Sequence, residues 1–225
     1  MKTLLKTACP QLDDAARERM AAYWDMLLVW NERVNLTAIT DPAEAAKKHF
    51  ADSLTALPFI PEGARCIDVG TGAGFPGIPL MIARPDIQMT LLDSLNKRVR
   101  FLEAVSQELG LNARCLHARA EDAGRDKAQR ESYDIALSRA VAPLPVLLEL
   151  TVPFLKIGGT GIAYKTDAAE ELRLSARALA LLHCRARVEA IEADYGQRTL
   201  VLATKQAACP PAYPRRAGLP ERTPL

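Results

Sequence analysis

The sequence has few aromatic residues, few histidines and no long apolar run. Only 5% of the 225 residues are aromatic, and the three histidines, His49, His117 and His183, show no ligand spacing with one another or with the cysteines. We therefore expect no metal site. No apolar run approaches the roughly eighteen residues of a membrane-spanning helix, so we expect no membrane partner. Residues 1–10 hold a single apolar pair, Leu4-Leu5, which predicts that no secretory signal is present.

The five cysteines are scattered along the chain and form no Cys-x-x-Cys pair. Cys66 and Cys115 fall inside predicted buried strands, where cysteine behaves as a small hydrophobic residue. An odd, dispersed set of cysteines is typical of proteins in a reducing compartment. Together with the missing secretory signal, this predicts a cytoplasmic protein. No extended apolar face indicates a state larger than a monomer.

Neither sign of charge is in excess over the whole chain. The 29 basic and 27 acidic residues nearly cancel, so the total charge does not indicate a nucleic-acid partner. Residues 205–225 differ, with four basic residues and one acidic residue. Five prolines lie within residues 209–225, and this composition alone predicts a disordered basic tail.

A dense glycine turn lies between an apolar run and an apolar helical segment. The stretch from Cys66 to Gly77, CIDVGTGAGFPG, is typical of a buried parallel strand that turns sharply into a helix. Glycines allow positive φ and let a ligand approach the backbone. Turns of this kind lie in the crevice at the carboxyl ends of the strands, where α/β folds bind nucleosides.

Two glycine codes compete in this turn. Residues 72–77 match the dinucleotide code Gly-x-Gly-x-x-Gly, but the match begins two residues after the turn starts, and Pro76 removes an N–H donor. The frame Asp68-x-Gly70-x-Gly72-x-Gly74 describes the segment better. An acid before the first glycine would repel a diphosphate and suits a cationic ligand such as S-adenosylmethionine. A glycine-rich turn without any ligand is the remaining alternative.

A second acid ends the next predicted strand. Asp93 follows the apolar run Thr90-Leu91-Leu92, at a place where a carboxylate can accept hydrogen bonds from both hydroxyls of a ribose. The position suits NAD and S-adenosylmethionine equally. A solvated acid at a strand end is the alternative.

Strand and helix patterns alternate from residue 65 onward, which predicts an α/β fold with a doubly wound, mostly parallel sheet. The predicted strands are 65–69, 89–93, 113–117, 133–138, 160–165, 187–191 and 199–204; the predicted helices are 77–84, 96–110, 143–155 and 168–182. Because the last two strands are close together, one of the seven is expected to be antiparallel. The chain is expected to have three parts: an N-terminal helical extension (1–62), a sheet core (63–205) and a C-terminal tail (206–225).

Several short segments spread over nearly the whole chain also occur in one known family. They are Trp30-Asn31, residues 35–39 (NLTAI), His49-Phe50, Asp52-Ser53-Leu54, residues 68–80 (DVGTGAGFPGIPL), Leu92-Asp93-Ser94, Lys97-Arg98, Phe101-Leu102, Arg119-Ala120-Glu121, residues 138–142 (SRAVA) and residues 213–220 (YPRRAGLP). In this combination the sequence resembles the bacterial 16S ribosomal RNA guanine-N7 methyltransferases, once called glucose-inhibited division protein B. One soft departure follows Lys165, where the family commonly has glycine and this chain has Thr166.

The resemblance implies a class I methyltransferase fold with seven strands, S-adenosylmethionine as methyl donor, and N7 of a guanine in the small ribosomal subunit as acceptor. It also implies cofactor contacts, to which the glycine code and the strand-end acid add three positions. The full set is Gly70, Gly72, Gly74, Phe75, Asp93, Ala120, Glu121 and Arg139. Three members have structural alternatives: Phe75 as a core aromatic, Glu121 as an acid at a helix N-terminus, and Arg139 as half of an ion pair.

Candidate RNA contacts come from basic residues near these motifs. The cluster Lys97, Arg98 and Arg100 begins a predicted helix, although a solvated helix face explains Lys97 and Arg100 equally well. The predicted phosphate contacts are Arg98, Lys165, Arg198, Arg215 and Arg216. Since the tail belongs to the family pattern, the resemblance implies that it is ordered near the site, against its composition.

The expected chemistry needs no acid or base. Guanine N7 carries an in-plane lone pair and can attack a sulfonium methyl group without losing a proton, so alignment and exclusion of water should dominate. Arg139 is the candidate for a positioning role. Two rival functions stay open at this point: an NAD-dependent oxidoreductase, and a non-catalytic module that binds S-adenosylmethionine or RNA.

Overall fold

The computed structural model describes all 225 residues and contains one seven-stranded sheet. Its strands are β1 Arg65–Val69, β2 Gln88–Asp93, β3 Ala113–His117, β4 Tyr133–Arg139, β5 Leu155–Lys165, β6 Cys184–Ile191 and β7 Arg198–Lys205. The order is β3-β2-β1-β4-β5-β7-β6, and β7 is antiparallel to both of its neighbours. The predicted α/β class and the single antiparallel strand are confirmed.

Helices cover both faces of the sheet. They are α1 Lys2–Ala8, α2 Asp14–Val34, α3 Pro42–Ala45, α4 Asp52–Leu54, α5 Gly77–Ala83, α6 Asn96–Glu108, α7 Ala120–Ala123, α8 Leu144–Thr151, α9 Ala169–Leu174, α10 Ala176–Leu181 and α11 Leu219–Arg222. Side chains alternate across each strand, so Cys66 packs into one apolar cluster and Ile67 into the other. None of the helices has the length and apolar character needed to cross a membrane.

The N-terminal extension packs directly on the sheet domain. Asp41 caps α3 by accepting a hydrogen bond from Glu44 N at 2.8 Å, and a π-helical turn, Ala46–Ala51, joins α3 to α4. Tyr23 and Phe50 of the extension lie in the same apolar cluster as α5 and α6, and the Tyr23 hydroxyl donates to the carbonyl of Ala73 in the glycine turn. The extension therefore supports the glycine turn through the apolar core and through a hydrogen bond to its backbone.

Four element boundaries differ clearly from the sequence-based expectation. The helix expected over 143–155 ends at Thr151, since Pro153 interrupts the helical pattern, and β5 then begins at Leu155 instead of residue 160. The helix expected over 168–182 is two helices, because Ser175 ends α9 with its hydroxyl bonded to the carbonyl of Glu171. Strand β6 begins at Cys184, three residues earlier than expected.

The tail has fixed contacts, contrary to the expectation from its composition. The Arg130 guanidinium donates to the carbonyls of Cys209, Pro210 and Tyr213 at 2.7–3.2 Å. Arg125 donates to the carbonyl of Pro214 at 2.8 Å. Prolines lack N–H groups but keep their carbonyls, so arginines from the core can satisfy a segment that cannot form a helix or a central strand.

Candidate active site

The glycine turn follows β1 at the carboxyl edge of the sheet. Gly70 and Gly72 have φ of +72° and +62°, and the amides of Gly70 and Thr71 donate to the carbonyl of Leu92 at 2.9 and 3.1 Å. A Cβ on Gly70 would lie 2.7 Å from Cγ2 of Val141. Position 70 therefore requires glycine both for its backbone conformation and for the space beside Val141.

Asp68 and Gly74 lie behind the turn. Asp68 is fully buried, and its Oδ2 accepts hydrogen bonds from Thr71 Oγ1 at 2.6 Å and Gly77 N at 2.9 Å, while Oδ1 has no partner. Burial raises the pKa of this carboxyl to about 6. Gly74, at φ +101°, packs against Ile78 and borders neither of the two hollows described below. The structure thus gives both residues a role in shaping the turn.

Two hollows meet at Gly70. The large cleft, of about 600 Å³, is bordered by the turn, the π-helical segment and the ends of β4, β5 and β7. The small hollow, of about 100 Å³, is bordered by the ends of β1 and β2, by α7 and by Val141. The large cleft contains these predicted site residues: Gly70, Gly72, Phe75, Arg98, Arg139, Lys165 and Arg198. The small hollow contains Gly70, Asp93, Ala120 and Glu121.

The small hollow is bordered by two carboxylates, those of Asp93 and Glu121, and by the backbone N–H of Ala120. Asp93 is 2% exposed, and it accepts hydrogen bonds from Gly72 N and Leu95 N, both at 2.9 Å. Ala120 is the first residue of α7, so its N–H has no partner inside the helix. Glu121 is buried and accepts a hydrogen bond from Gly218 N of the tail at 2.8 Å. The acid at position 121 therefore ties the tail to the hollow.

Phe75 lies in the aromatic wall of the large cleft. It is 6% exposed, and the His49 ring stacks on it with 4.4 Å between centroids and 15° between planes. Thr37 Oγ1 is 2.8 Å from His49 Nε2. Burial, reinforced by the nearby Arg139 charge, lowers the pKa of His49 to about 4, so the imidazole is neutral at pH 7. Phe75 is buried in the core, as its structural alternative predicts, and it also borders the cleft.

Asp52 joins two arginines from different strands at the mouth of the cleft. Its Oδ2 is 2.9 Å from Arg139 at the end of β4, and its Oδ1 is 3.0 Å from Arg198 at the start of β7. The Arg139 guanidinium also donates to the carbonyls of Lys48 and His49 at 3.2 and 3.4 Å. Arg139 is therefore half of an ion pair, which was the structural alternative to a cofactor contact, and it also borders the cleft. In the sequence, Asp52 stood out only as part of the Asp52-Ser53-Leu54 segment shared with the family.

Lys165 holds the turn that separates the two hollows. Its Nζ donates to the carbonyl of Ala142 at 2.9 Å and pairs with Glu171 at 2.7 Å. In the same turn Ala140 has φ of +55° and borders the large cleft, and Val141 borders the small hollow. Sequence reasoning placed Lys165 among the RNA contacts and did not detect its bond to this turn.

Arg215 and Arg216 border neither hollow. Arg215 forms a two-pronged ion pair with the fully buried Glu149, at 2.5–3.1 Å, so its guanidinium is occupied by the protein. Arg216 is exposed and borders a separate surface hollow with Arg119. No group of three or more His, Cys, Asp or Glu side chains in the structure is arranged to hold a metal ion.

Solved structures with a similar architecture include several methyltransferases. A putative O-methyltransferase from Klebsiella pneumoniae aligns with a TM-score of 0.57 and 17% identity, covering 82% of this chain and 90% of that one. An O-methyltransferase from Bacillus cereus in complex with SAH aligns with a TM-score of 0.57 and 16% identity, covering 82% and 91%. At these identities the likeness shows the fold.

Sequence relatives are more specific. The family model GidB, described as rRNA small subunit methyltransferase G, matches residues 16–201. A Ribosomal RNA small subunit methyltransferase G of Desulfitobacterium hafniense is 49% identical over 92% of this chain and 89% of its own length, and one of Alkaliphilus metalliredigens is 44% identical over 100% and 98%. The chain therefore belongs to the GidB family, rRNA small subunit methyltransferase G, and its fold is that of S-adenosylmethionine-dependent methyltransferases.

Proposed function

We propose that this protein transfers the methyl group of S-adenosylmethionine to N7 of one guanine in 16S ribosomal RNA of the small subunit. The observation that carries the proposal is the pair of hollows joined at Gly70 in a chain of this family. A nucleoside with a charged amino-acid arm needs two connected compartments, and a flipped base needs an open one. The proposed setting is the cytoplasm, with the protein acting as a monomer.

The residues of the small hollow fit the nucleoside part of S-adenosylmethionine. Asp93 supplies a carboxylate for ribose hydroxyls, and the unpaired amide of Ala120 and the carboxylate of Glu121 can recognise an adenine edge. Gly70 lets the chain of the ligand pass from the small hollow into the large cleft. The donors that a pyrophosphate requires are missing, since the Gly72 amide is bonded to Asp93 and position 76 is proline. This favours S-adenosylmethionine over a dinucleotide.

S-adenosylmethionine supplies an electrophilic methyl group on a sulfonium. The protein has to hold guanine N7 in line with that group and exclude water, and neither task needs a proton acceptor. The methylated purine carries a positive charge, so cations facing it would oppose the reaction. The neutral His49 adds no such repulsion, and Asp52 partly offsets the charges of Arg139 and Arg198. The stacked rings of Phe75 and His49 form an aromatic wall of the large cleft, in which the guanine would be held.

Transfer of a tritiated methyl group tests the proposal. The substrate is small ribosomal subunits that lack their own N7 methylation, and the labelled RNA is cleaved chemically at N7-methylguanine. The expected result is label on a single guanine. Heat-denatured protein is the control. If calorimetry shows binding of S-adenosylhomocysteine but no guanine is labelled, the protein is a binding module or acts on another RNA. If no binding occurs, the dinucleotide alternative returns.

A further inference from the structure

Three exposed arginines surround a surface hollow next to the small hollow. Arg119, Arg216 and Arg222 border this space of about 440 Å³, which Ala217, Gly218 and Leu219 complete. We call it the arginine hollow. Arg119 directly precedes α7 and borders the small hollow as well, so the two spaces share a wall.

None of the three guanidinium groups has a carboxylate or carbonyl partner among the ion pairs and side-chain hydrogen bonds of the protein. Two acids lie next to the hollow: the exposed Glu221, and the buried Glu121, whose carboxylate accepts a hydrogen bond from the Gly218 amide. Three like charges around one hollow, none of them paired directly with a carboxylate, repel one another, and this cost is reduced when an anion binds there.

Buried acids hold the backbone that presents two of these arginines. Glu149, fully buried, binds Arg215 through its side chain and through the Arg215 amide at 2.8 Å. Glu121, 6% exposed, accepts from Gly218 N at 2.8 Å. The segment between these two anchors contains Arg216, and Arg222 lies in the last turn of α11 just after it. The backbone is therefore ordered before any ligand binds, which lowers the entropy cost of binding.

We propose that the arginine hollow binds backbone phosphates of the ribosomal RNA at a distance from the target base; this inference rests on the proposed function. Guanidinium forks match phosphate oxygens with two parallel hydrogen bonds, and phosphate neutralisation by arginine supplies most sequence-independent affinity for RNA. The cations of the large cleft are held by acids, whereas these three are free to contact phosphate. RNA bound here would border the cofactor site through Arg119.

The test compares two double variants with the same change in net charge. One is Arg216→Gln with Arg222→Gln in the hollow. The other is Arg177→Gln with Arg185→Gln, two exposed and unpaired arginines in α10 and β6 at the opposite edge of the sheet from α7. The affinity of each for unmethylated small subunits is measured between low and physiological salt, and the logarithm of the binding constant is plotted against the logarithm of the salt concentration.

The hollow variant is expected to reduce the salt slope by about 1.4, from about 0.7 for each lost contact to single-stranded RNA, and the control variant should keep the wild-type slope. Arg119→Gln alone should reduce it by about 0.7. Equal changes in both double variants, or an unchanged slope in the hollow variant, would overturn the proposal. If the slopes differ as expected while the wild type labels no guanine N7, the hollow binds RNA and the proposed methyl transfer is wrong.

Discussion

The basic residues of the large cleft and those of the arginine hollow differ in their partners. In the cleft, Arg98 faces Asp93, Lys165 faces Glu171, and Arg139 and Arg198 share Asp52. In the hollow, Arg119, Arg216 and Arg222 are exposed to solvent and none is in an ion pair. The first group is partly buried against the protein, and the second is exposed.

This difference teaches which cations can contact RNA without first losing a bond. A phosphate that approaches Arg139 or Lys165 has to compete with a carboxylate that is already 2.7–2.9 Å away. A phosphate that approaches Arg216 competes only with water. A paired cation therefore fixes backbone and neighbouring side chains, whereas an unpaired one is available to a ligand. Of the five predicted RNA contacts, Arg216 fits the second description.

The largest expected effect comes from removing the acid at the mouth of the cleft. Asp52→Ala leaves Arg139 and Arg198 without their shared carboxylate, and loss of a buried partner costs about 3 kcal/mol in free energy of unfolding. Urea unfolding measures it. The control is Glu170→Ala, which breaks the exposed pair with Arg173 and should leave the midpoint unchanged. Equal midpoints for the two variants would contradict a structural role of the paired cations.

The second effect tests whether the two hollows form one cofactor site. Gly70→Ala adds a Cβ 2.7 Å from Val141 at a φ of +72°, so the turn must shift, and we expect about a hundredfold loss of S-adenosylhomocysteine affinity by calorimetry. Gly110→Ala is the control, because Gly110 has φ of +61°, has open space around the added Cβ and borders neither hollow. It should lose stability but keep affinity. Unchanged affinity in Gly70→Ala would show that the two hollows do not form one cofactor site joined at Gly70.

The third effect is a pH dependence of stability caused by His49. Its pKa is about 4 in the folded protein and about 6.5 in the unfolded chain, so the unfolded state binds the proton first and stability falls as the pH drops below about 6.5. Asp68 acts in the opposite direction. Its folded-state pKa of about 6 lies above the unfolded value of 3.8, so its contribution to stability is present at low pH and is lost as the pH rises through 6.

His49→Gln separates these two contributions. Between pH 7.5 and pH 5 the variant should gain about 2 kcal/mol of unfolding free energy relative to the wild type, at 1.36 kcal/mol for each pKa unit traversed. Denaturant unfolding at both pH values measures this difference. His117→Gln, at an exposed histidine, is the control and should behave as the wild type does. A pH-independent difference would show that His49 titrates normally.

The smallest effect concerns the paired lysine between the hollows. Lys165→Met keeps the length of the side chain but releases the carbonyl of Ala142 and the charge on Glu171. Since the Ala140–Ala142 turn lies between the two compartments, the KM for S-adenosylmethionine should rise about tenfold, equivalent to about 1.4 kcal/mol of cofactor affinity. Lys156→Met is the control, because that lysine pairs with Asp134 away from both hollows. If Lys165→Met keeps the wild-type KM for S-adenosylmethionine, Lys165 has no role in positioning the turn between the hollows.

The fold could be predicted almost completely because its signals are local. Alternation of apolar runs with helical periodicity determined the seven strands, and the glycine code located the turn after β1. The boundaries that were missed, at Leu155 and Ser175, depend on single residues that interrupt a periodic pattern.

The site could be predicted only in part, because its partners are distant in sequence. Gly70 and Asp93 follow from strand ends, but the bond between Arg139 and Asp52 spans 87 positions and the one between Lys165 and Ala142 spans 23. No local pattern tells whether an arginine will meet a carboxylate after folding. Arg215 and Arg216 are adjacent in sequence, yet Arg215 binds a buried acid and Arg216 is exposed to solvent. The sequence could not distinguish them for the same reason.

The central claim is that paired cations serve the cofactor side of the site and unpaired cations serve the RNA. Steady-state methyl transfer to unmethylated small subunits, with each substrate titrated in turn, tests it most directly in two variants. Lys165→Met should raise the KM for S-adenosylmethionine and leave that for RNA unchanged, and Arg216→Gln with Arg222→Gln should do the reverse. If both variants raise the same KM, or if the two effects are exchanged, the claim is contradicted.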